Sequence, residues 1–220
     1  MKGTMMRIIR KYESGRSMVE MMGYMAVAIV LTASVGQLVY KAFGDYKFSK
    51  ANLQLTELAN MISRAGAVEP DYVGIVSMLN GTSSRTADNQ EGAKMIPSSF
   101  RVRSVAGGGR QIFHAFGGQV TIGTAPETGT NGAKFSITFS GLDTRQCTDL
   151  ALKDWSKNKY ANLDSIVIND TYHWYWPIYG TDENANIFTF PVRREALVGE
   201  TAADAGQCGQ TVNTVQWFFY

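Results

Sequence analysis

Charged side chains are scarce in this chain, at 18% of 220 residues, and their formal sum is only +2. A nucleic-acid-binding protein carries a larger and more clustered basic footprint, so nucleic acid is not an expected partner. Proline is scarce as well, with five residues and none before Pro70, so no proline interrupts a helix in the first third. Two cysteines (Cys147, Cys208) and two histidines (His114, His173) stand far apart, without the spacing of a zinc site. No metal and no other cofactor is expected. Catalytic patterns are missing too: there is no HExxH and no GxSxG. Gly107-Gly108-Gly109-Arg110 lacks the Lys-Ser/Thr that a phosphate-binding loop requires. Both histidines fall in strand-like stretches and read as structural or solvent-facing, so the chain is not expected to be an enzyme. Apolar residues, by contrast, make up 45% of the chain. That favours a packed core, in one ordinary domain with an extension or in two small domains.

The charge is unevenly placed. Lys2, Arg7, Arg10 and Lys11 against Glu13 give residues 1–15 a net +3, which leaves −1 for the remainder. Met21–Tyr40 follows with no charged residue over 20 positions. At about 1.5 Å per residue, such a helix spans a bilayer core of about 30 Å. The alternative, a buried core helix, calls for a polar face, and none is visible here. The basic segment would stay on the cytoplasmic side and the C-terminal bulk would be exported. Glu20 stands at the threshold of the apolar run, after Met18 and Val19. A carboxylate inside hydrocarbon is unfavourable by a few kcal/mol, whereas in the first turn of a helix the dipole favours an acid.

The segment Gly15-Arg16-Ser17-Met18-Val19-Glu20-Met21-Met22-Gly23 resembles the processing site of type IV prepilins. The wording RSMVEMMG is similar to type IVb-like major pilins related to conjugative thin pili. The resemblance implies a basic leader over 1–15, cleavage between Gly15 and Arg16 by a prepilin peptidase, and methylation of the new N-terminus at Arg16. It implies that Glu20 is the assembly glutamate and that the run after it forms the core of a homopolymeric filament. Arg16 departs from the aromatic or aliphatic residue usual there. The further implied partners are membrane lipid before assembly and an inner-membrane pilus assembly machinery, and the implied destination is an extracellular pilus. Small residues at Gly23, Ala26, Ala28, Ala33, Ser34 and Gly36 would let helices approach closely, although such residues are common in membrane helices generally.

Export also bears on the thiols. In an oxidising compartment Cys147 and Cys208 would pair; otherwise they are two buried free thiols. In pilins, paired cysteines delimit the variable outer region, which the resemblance places between these two.

The expected fold class is α+β, a long N-terminal helix packed on a C-terminal antiparallel sheet, as in pilins. One helix is expected from Ser17 to Ala65, inside a 16–66 segment whose 21–40 half is membrane- or filament-embedded. Leu55, Leu58, Ala59 and Ile62 form its apolar face, with Lys47, Lys50, Gln54, Glu57 and Arg64 opposite. A head spans 67–220. In it a short helix is expected over Tyr72–Leu79 and loop over 81–110, with at most a strand near Phe100–Val105. Strands are expected at Gln111–Phe116, Gln119–Ile122, Lys134–Phe139, Ser165–Ile168 and Val212–Phe219, and a helix at Cys147–Trp155. The aromatic run Tyr172–Pro177 reads as half core or as an exposed binding patch. Asn80-Gly81-Thr82 and Asn169-Asp170-Thr171 match a glycosylation sequon. Rival readings are a minor pilin or type II secretion pseudopilin, and an exported anchored or secreted binding protein with a signal cut near Ser34.

Overall fold

A computed structural model describes residues 18–67, 72–106, 109–127, 130–153, 163–169, 171–174, 188–189 and 207–220. Two compact units divide the chain, residues 1–44 and residues 45–220. In the first unit the described residues are all helix, the opening part of α1 (Met18–Gly66). Their side chains are exposed from Glu20 to Phe43.

The second unit contains the amphipathic part of α1, three shorter helices and the strands. On α1, Ala51, Leu55, Leu58, Ala59 and Ile62 are buried, as the spacing of three and four predicts. Gln54, expected on the polar face, is instead 1% exposed. It stands one position before Leu55 and four before Leu58, so it belongs geometrically to the buried face. The helix stops at Gly66, where a Cβ would strike the Tyr72 ring.

Helix α2 (Tyr72–Asn80) adds Tyr72, Ile75, Val76 and Leu79 to the core. Within the stretch expected to be loop lies a further helix, α3 (Thr86–Met95). Its composition is polar, and its supports are tertiary or reach back across its start. Ser83 N–H donates to Asn89 Oδ1 (3.0 Å) while Asn89 Nδ2 donates to Ser83 O (2.9 Å). Gly92 lies so close to the Met78 carbonyl of α2 that no Cβ would fit. No residue with a side chain can replace that contact without moving a backbone.

The strands are β1 (Arg101–Ser104), β2 (Arg110–Phe113), β3 (Gln119–Glu127), β4 (Thr130–Leu142), β5 (Leu163–Ile168), β6 (Thr171–Trp174), β7 (Phe188–Thr189) and β8 (Asn213–Phe219). They form one sheet in the order β1-β2-β3-β4-β8-β5-β6-β7, antiparallel except for the parallel pair β6–β7. Residues 123–127 and 130–133, which fall between the expected strands Gln119–Ile122 and Lys134–Phe139, are ladder instead. β3 and β4 stay paired out to Glu127 and Thr130, with the register shift falling between Ala125 and Glu127. Pro126 therefore sits at the irregularity, where a missing N–H costs no ladder bond. Helix α4 (Thr144–Ala151) begins three residues earlier than expected. Its capping box fixes the start: Asp143 Oδ1 accepts from Gln146 N–H (2.7 Å) and Gln146 Oε1 from Asp143 N–H (3.2 Å).

Strand β8 occupies the middle of the sheet and alternates faithfully. Val215, Trp217 and Phe219 are buried and stand opposite Phe139, Ile137 and Phe135 of β4. These side chains share one hydrophobic cluster with the buried faces of α1 and α2. Ring contacts bind it: Phe135–Phe219 at 5.1 Å, Tyr72–Phe135 at 4.9 Å and Phe139–Trp217 at 5.3 Å between centroids.

Candidate functional site

Glu20 lies in the first turn of α1 and is exposed, where the unpaired N–H groups of the helix start favour a negative charge. Gly15 and Arg16 lie outside the described residues. After Glu20, α1 is long and apolar enough to cross a membrane. The exposed surface there is built of Met21, Met22, Met25, Val27, Ile29, Val30, Leu31 and their successors through Phe43. Two hydroxyls interrupt it without cost to an apolar surrounding. Thr32 Oγ1 donates to Ala28 O (2.7 Å) and Ser34 Oγ to Val30 O (2.8 Å), so each is satisfied inside the helix. A Cβ built at Gly23 or Gly36 would meet nothing, so the small residues leave open notches on the helix surface. Such a face can rest in lipid or against equivalent helices with little change in apolar exposure.

The second candidate feature is the covalent tie. Cys147, in α4, and Cys208 are joined by a disulfide, with Cα atoms 5.8 Å apart and both residues fully buried. Around Cys208 the sequence reading missed a polar lock. Asn213, also without exposed surface, donates from Nδ2 to Leu142 O (3.2 Å) and Gln210 O (2.9 Å). Its Oδ1 accepts from Asn169 Nδ2 (2.7 Å), which also donates to Gln207 O (2.6 Å). Asn169 Oδ1 in turn takes the Thr214 N–H (2.7 Å). Asn169 has φ 44°, a left-handed conformation that asparagine tolerates better than most residues. An Asn-Asp pair between two strand-like runs was the available signal for that turn.

The same bonds bear on the two sequons. The Nδ2 of Asn169 is held inside this network, and the Nδ2 of Asn80 donates to Ile122 O (2.9 Å). In the aromatic run, Tyr172, His173 and Trp174 lie in β6 opposite Val167, Ile166 and Ser165. Tyr175, Trp176 and Pro177 lie outside the described residues. His114 is buried in the turn after β2 rather than within a strand. On β4, Lys134 Nζ sits 3.2 Å from Asp164 Oδ2 and 4.1 Å from the centre of the Tyr220 ring. Burial opposes the Lys134 charge, but hydrogen bonds with Tyr220 and Asp164 outweigh it and its pKa is raised.

A family model described as PilS N terminal matches residues 49–217. The chain belongs to the PilS family. The matched segment leaves out Gly15, Arg16 and Glu20, so it supports the pilin reading independently of the N-terminal motif. PilS proteins of this kind are type IVb-like pilins, structural subunits rather than enzymes. Among solved structures, the type IV b pilin from Salmonella typhi matches at 19% identity, over 76% of this chain and 97% of that chain, with a TM-score of 0.41. No curated protein matches the sequence.

Proposed function

We propose that this pilin is made as an inner-membrane precursor and is cut between Gly15 and Arg16 by a prepilin peptidase. It then polymerises through α1 into an extracellular filament, as its major subunit. In this reading residues 1–15 are the leader, 16–66 the helix that inserts in lipid and later in the filament core, and 67–220 the displayed head. Adhesion, contact during conjugation and motility are the roles such a filament serves. The observation that carries the reading is the exposed apolar surface of α1 directly behind Glu20.

The physical logic concerns register. A helix leaving lipid for a core of like helices exchanges one apolar surrounding for another, so hydrophobic burial provides little direction. Charge provides it. Glu20 in an apolar core is costly alone and tolerable beside a cation. The cation is the α-amine of a neighbouring Arg16, which exists only after the leader is removed; methylation there would keep its positive charge. Assembly machinery at the inner membrane then lifts each subunit into the growing base.

The test is Glu20→Ala. The variant should insert and keep its disulfide, yet its recovery in sheared filaments should fall steeply against the membrane pool. Filament recovery equal to the wild type would remove Glu20 from assembly.

A further inference from the structure

His114 is 3% exposed and lies in the tight turn between β2 and β3. That turn is closed by His114 N–H to Gly118 O (3.0 Å) and Gly117 N–H to His114 O (2.9 Å). The ring stacks on Phe139 at 4.7 Å and meets the edge of Phe116 at 5.7 Å. Both ring nitrogens are engaged. Nε2 is 2.9 Å from Ser140 O, and a carbonyl can only accept, so Nε2 carries the proton. Nδ1 must then be the bare nitrogen, and the Phe116 N–H points at it from 3.3 Å. Gly118 permits this closeness, because a Cβ there would strike Ser140 O and His114 Nε2.

Between His114 and Phe116 lies Ala115, whose N–H donates to Gln54 Oε1 (2.8 Å). The Nε2 of the same glutamine donates to Ser99 O (2.6 Å). The closed turn is thus hooked directly to α1 by the one buried polar residue on that helix's apolar face.

We infer that neutral His114 is an acid-sensitive latch, which holds the β2–β3 turn closed on Gln54 of α1 and opens when the imidazole is protonated. Protonation places a hydrogen on Nδ1 that faces the Phe116 N–H, donor against donor. The buried ring has no open side toward which to turn. Burial lowers its pKa below 6.5, and the Ser140 hydrogen bond only partly offsets this. The charged residues on the elements around it include Asp45, Lys47, Lys50, Glu57 and Arg64 on the head part of α1, Arg110 on β2, Glu127 on β3 and Lys134 on β4. Glu57 accepts from Ser99 Oγ (2.9 Å), Arg110 donates to Met78 O and Leu79 O, and Lys134 is paired with Asp164.

The direction in pH follows from the lowered value. Above about pH 6.5 both folded and unfolded chains hold the neutral ring, and the latch contributes fully. As pH falls below that, the unfolded chain binds the proton first, so the contribution is lost progressively down to the folded-state pKa. Acid loosens the turn and the adjoining face of α1 before the rest of the head. This inference rests on the fold of the head alone and stands or falls apart from filament assembly.

The experiment is amide hydrogen exchange on the full chain in detergent, at about pH 7.5 and about pH 5, corrected for the intrinsic pH dependence of exchange. Wild type should lose protection severalfold over residues 111–118 and 50–58 at the lower pH, with β8 unchanged. His114→Gln, which cannot be protonated, should show no such loss. Should that variant fail to fold, Gln54→Leu decides instead: residues 111–118 stay acid-sensitive while 50–58 no longer follow them. Equal protection at both pH values in the wild type would overturn the latch. So would a pH dependence that persists in His114→Gln, or one that still couples the two segments in Gln54→Leu.

Discussion

Asn213 has no exposed surface, and both ends of its amide are in use, to Leu142 O, Gln210 and Asn169. Truncating it strands the buried Leu142 carbonyl, takes a partner from the Gln210 carbonyl and leaves Asn169 Nδ2 with one partner fewer. An unsatisfied buried polar group costs about 1–3 kcal/mol. Asn213→Ala should therefore lower the free energy of unfolding by roughly that amount or somewhat more, read from the urea midpoint of the full chain in detergent. A midpoint unchanged from wild type would mean that the network is ornamental. Neither Asn213 nor Gln54 was legible from sequence, for one reason. A polar side chain announces hydrophilicity, while its burial depends on partners some 45 or 71 positions away, Ser99 and Leu142. Cys147 and Cys208 were legible because chemistry pairs thiols whatever the intervening fold.

Among elements, α1 is one helix from Met18 to Gly66, yet its side chains are exposed in one part and half engaged in a core in the other. Leu58 is fully buried in the head core, whereas Leu31 is 62% exposed. Leu58→Ala should cost about 2–5 kcal/mol of head stability through lost burial and a residual cavity. Leu31→Ala should leave the same unfolding midpoint within error, since surface changes away from special contacts are worth about 0.5 kcal/mol or less. A destabilisation of similar size from both would contradict the division of labour along the helix. The apolar spacing of Leu55, Leu58 and Ile62 was readable because a helix face repeats locally. Helix α3 was not, since TADNQEGAKM has no apolar stripe and its closest support is the contact of Gly92 with α2. The extension of β3 and β4 past Ile122 was hidden by Gly, Pro and Thr residues that read as a turn but sit around a bulge.

For the whole molecule, the disulfide closes a long loop, its cysteines standing 61 positions apart in the sequence. Chain-entropy reasoning assigns such a crosslink roughly 4 kcal/mol, acting on the unfolded chain. The double variant Cys147→Ser/Cys208→Ser should lower the unfolding free energy by about that much. A loss under about 1 kcal/mol would mean that the Asn169–Asn213 network alone holds this region. The fold class was legible in outline: a long helix followed by alternating segments gives α+β. The strand order was not, because inserting β8 between β4 and β5 is a choice among non-local pairings that local patterns do not encode. Of the processing site, Glu20 lies on a described helix, while Gly15 and Arg16 rest on sequence resemblance alone.

In the proposed reading, assembly through α1 depends on a new amine at Arg16 meeting the carboxylate of Glu20. The most direct measurement is the N-terminal residue of subunits purified from sheared filaments, by mass spectrometry or stepwise degradation. A chain that begins at Arg16, with or without an added methyl group, is the expected result. A chain that begins at Met1 would contradict it as an uncleaved anchor, and one that begins at Val35 would contradict it as an ordinary secreted protein.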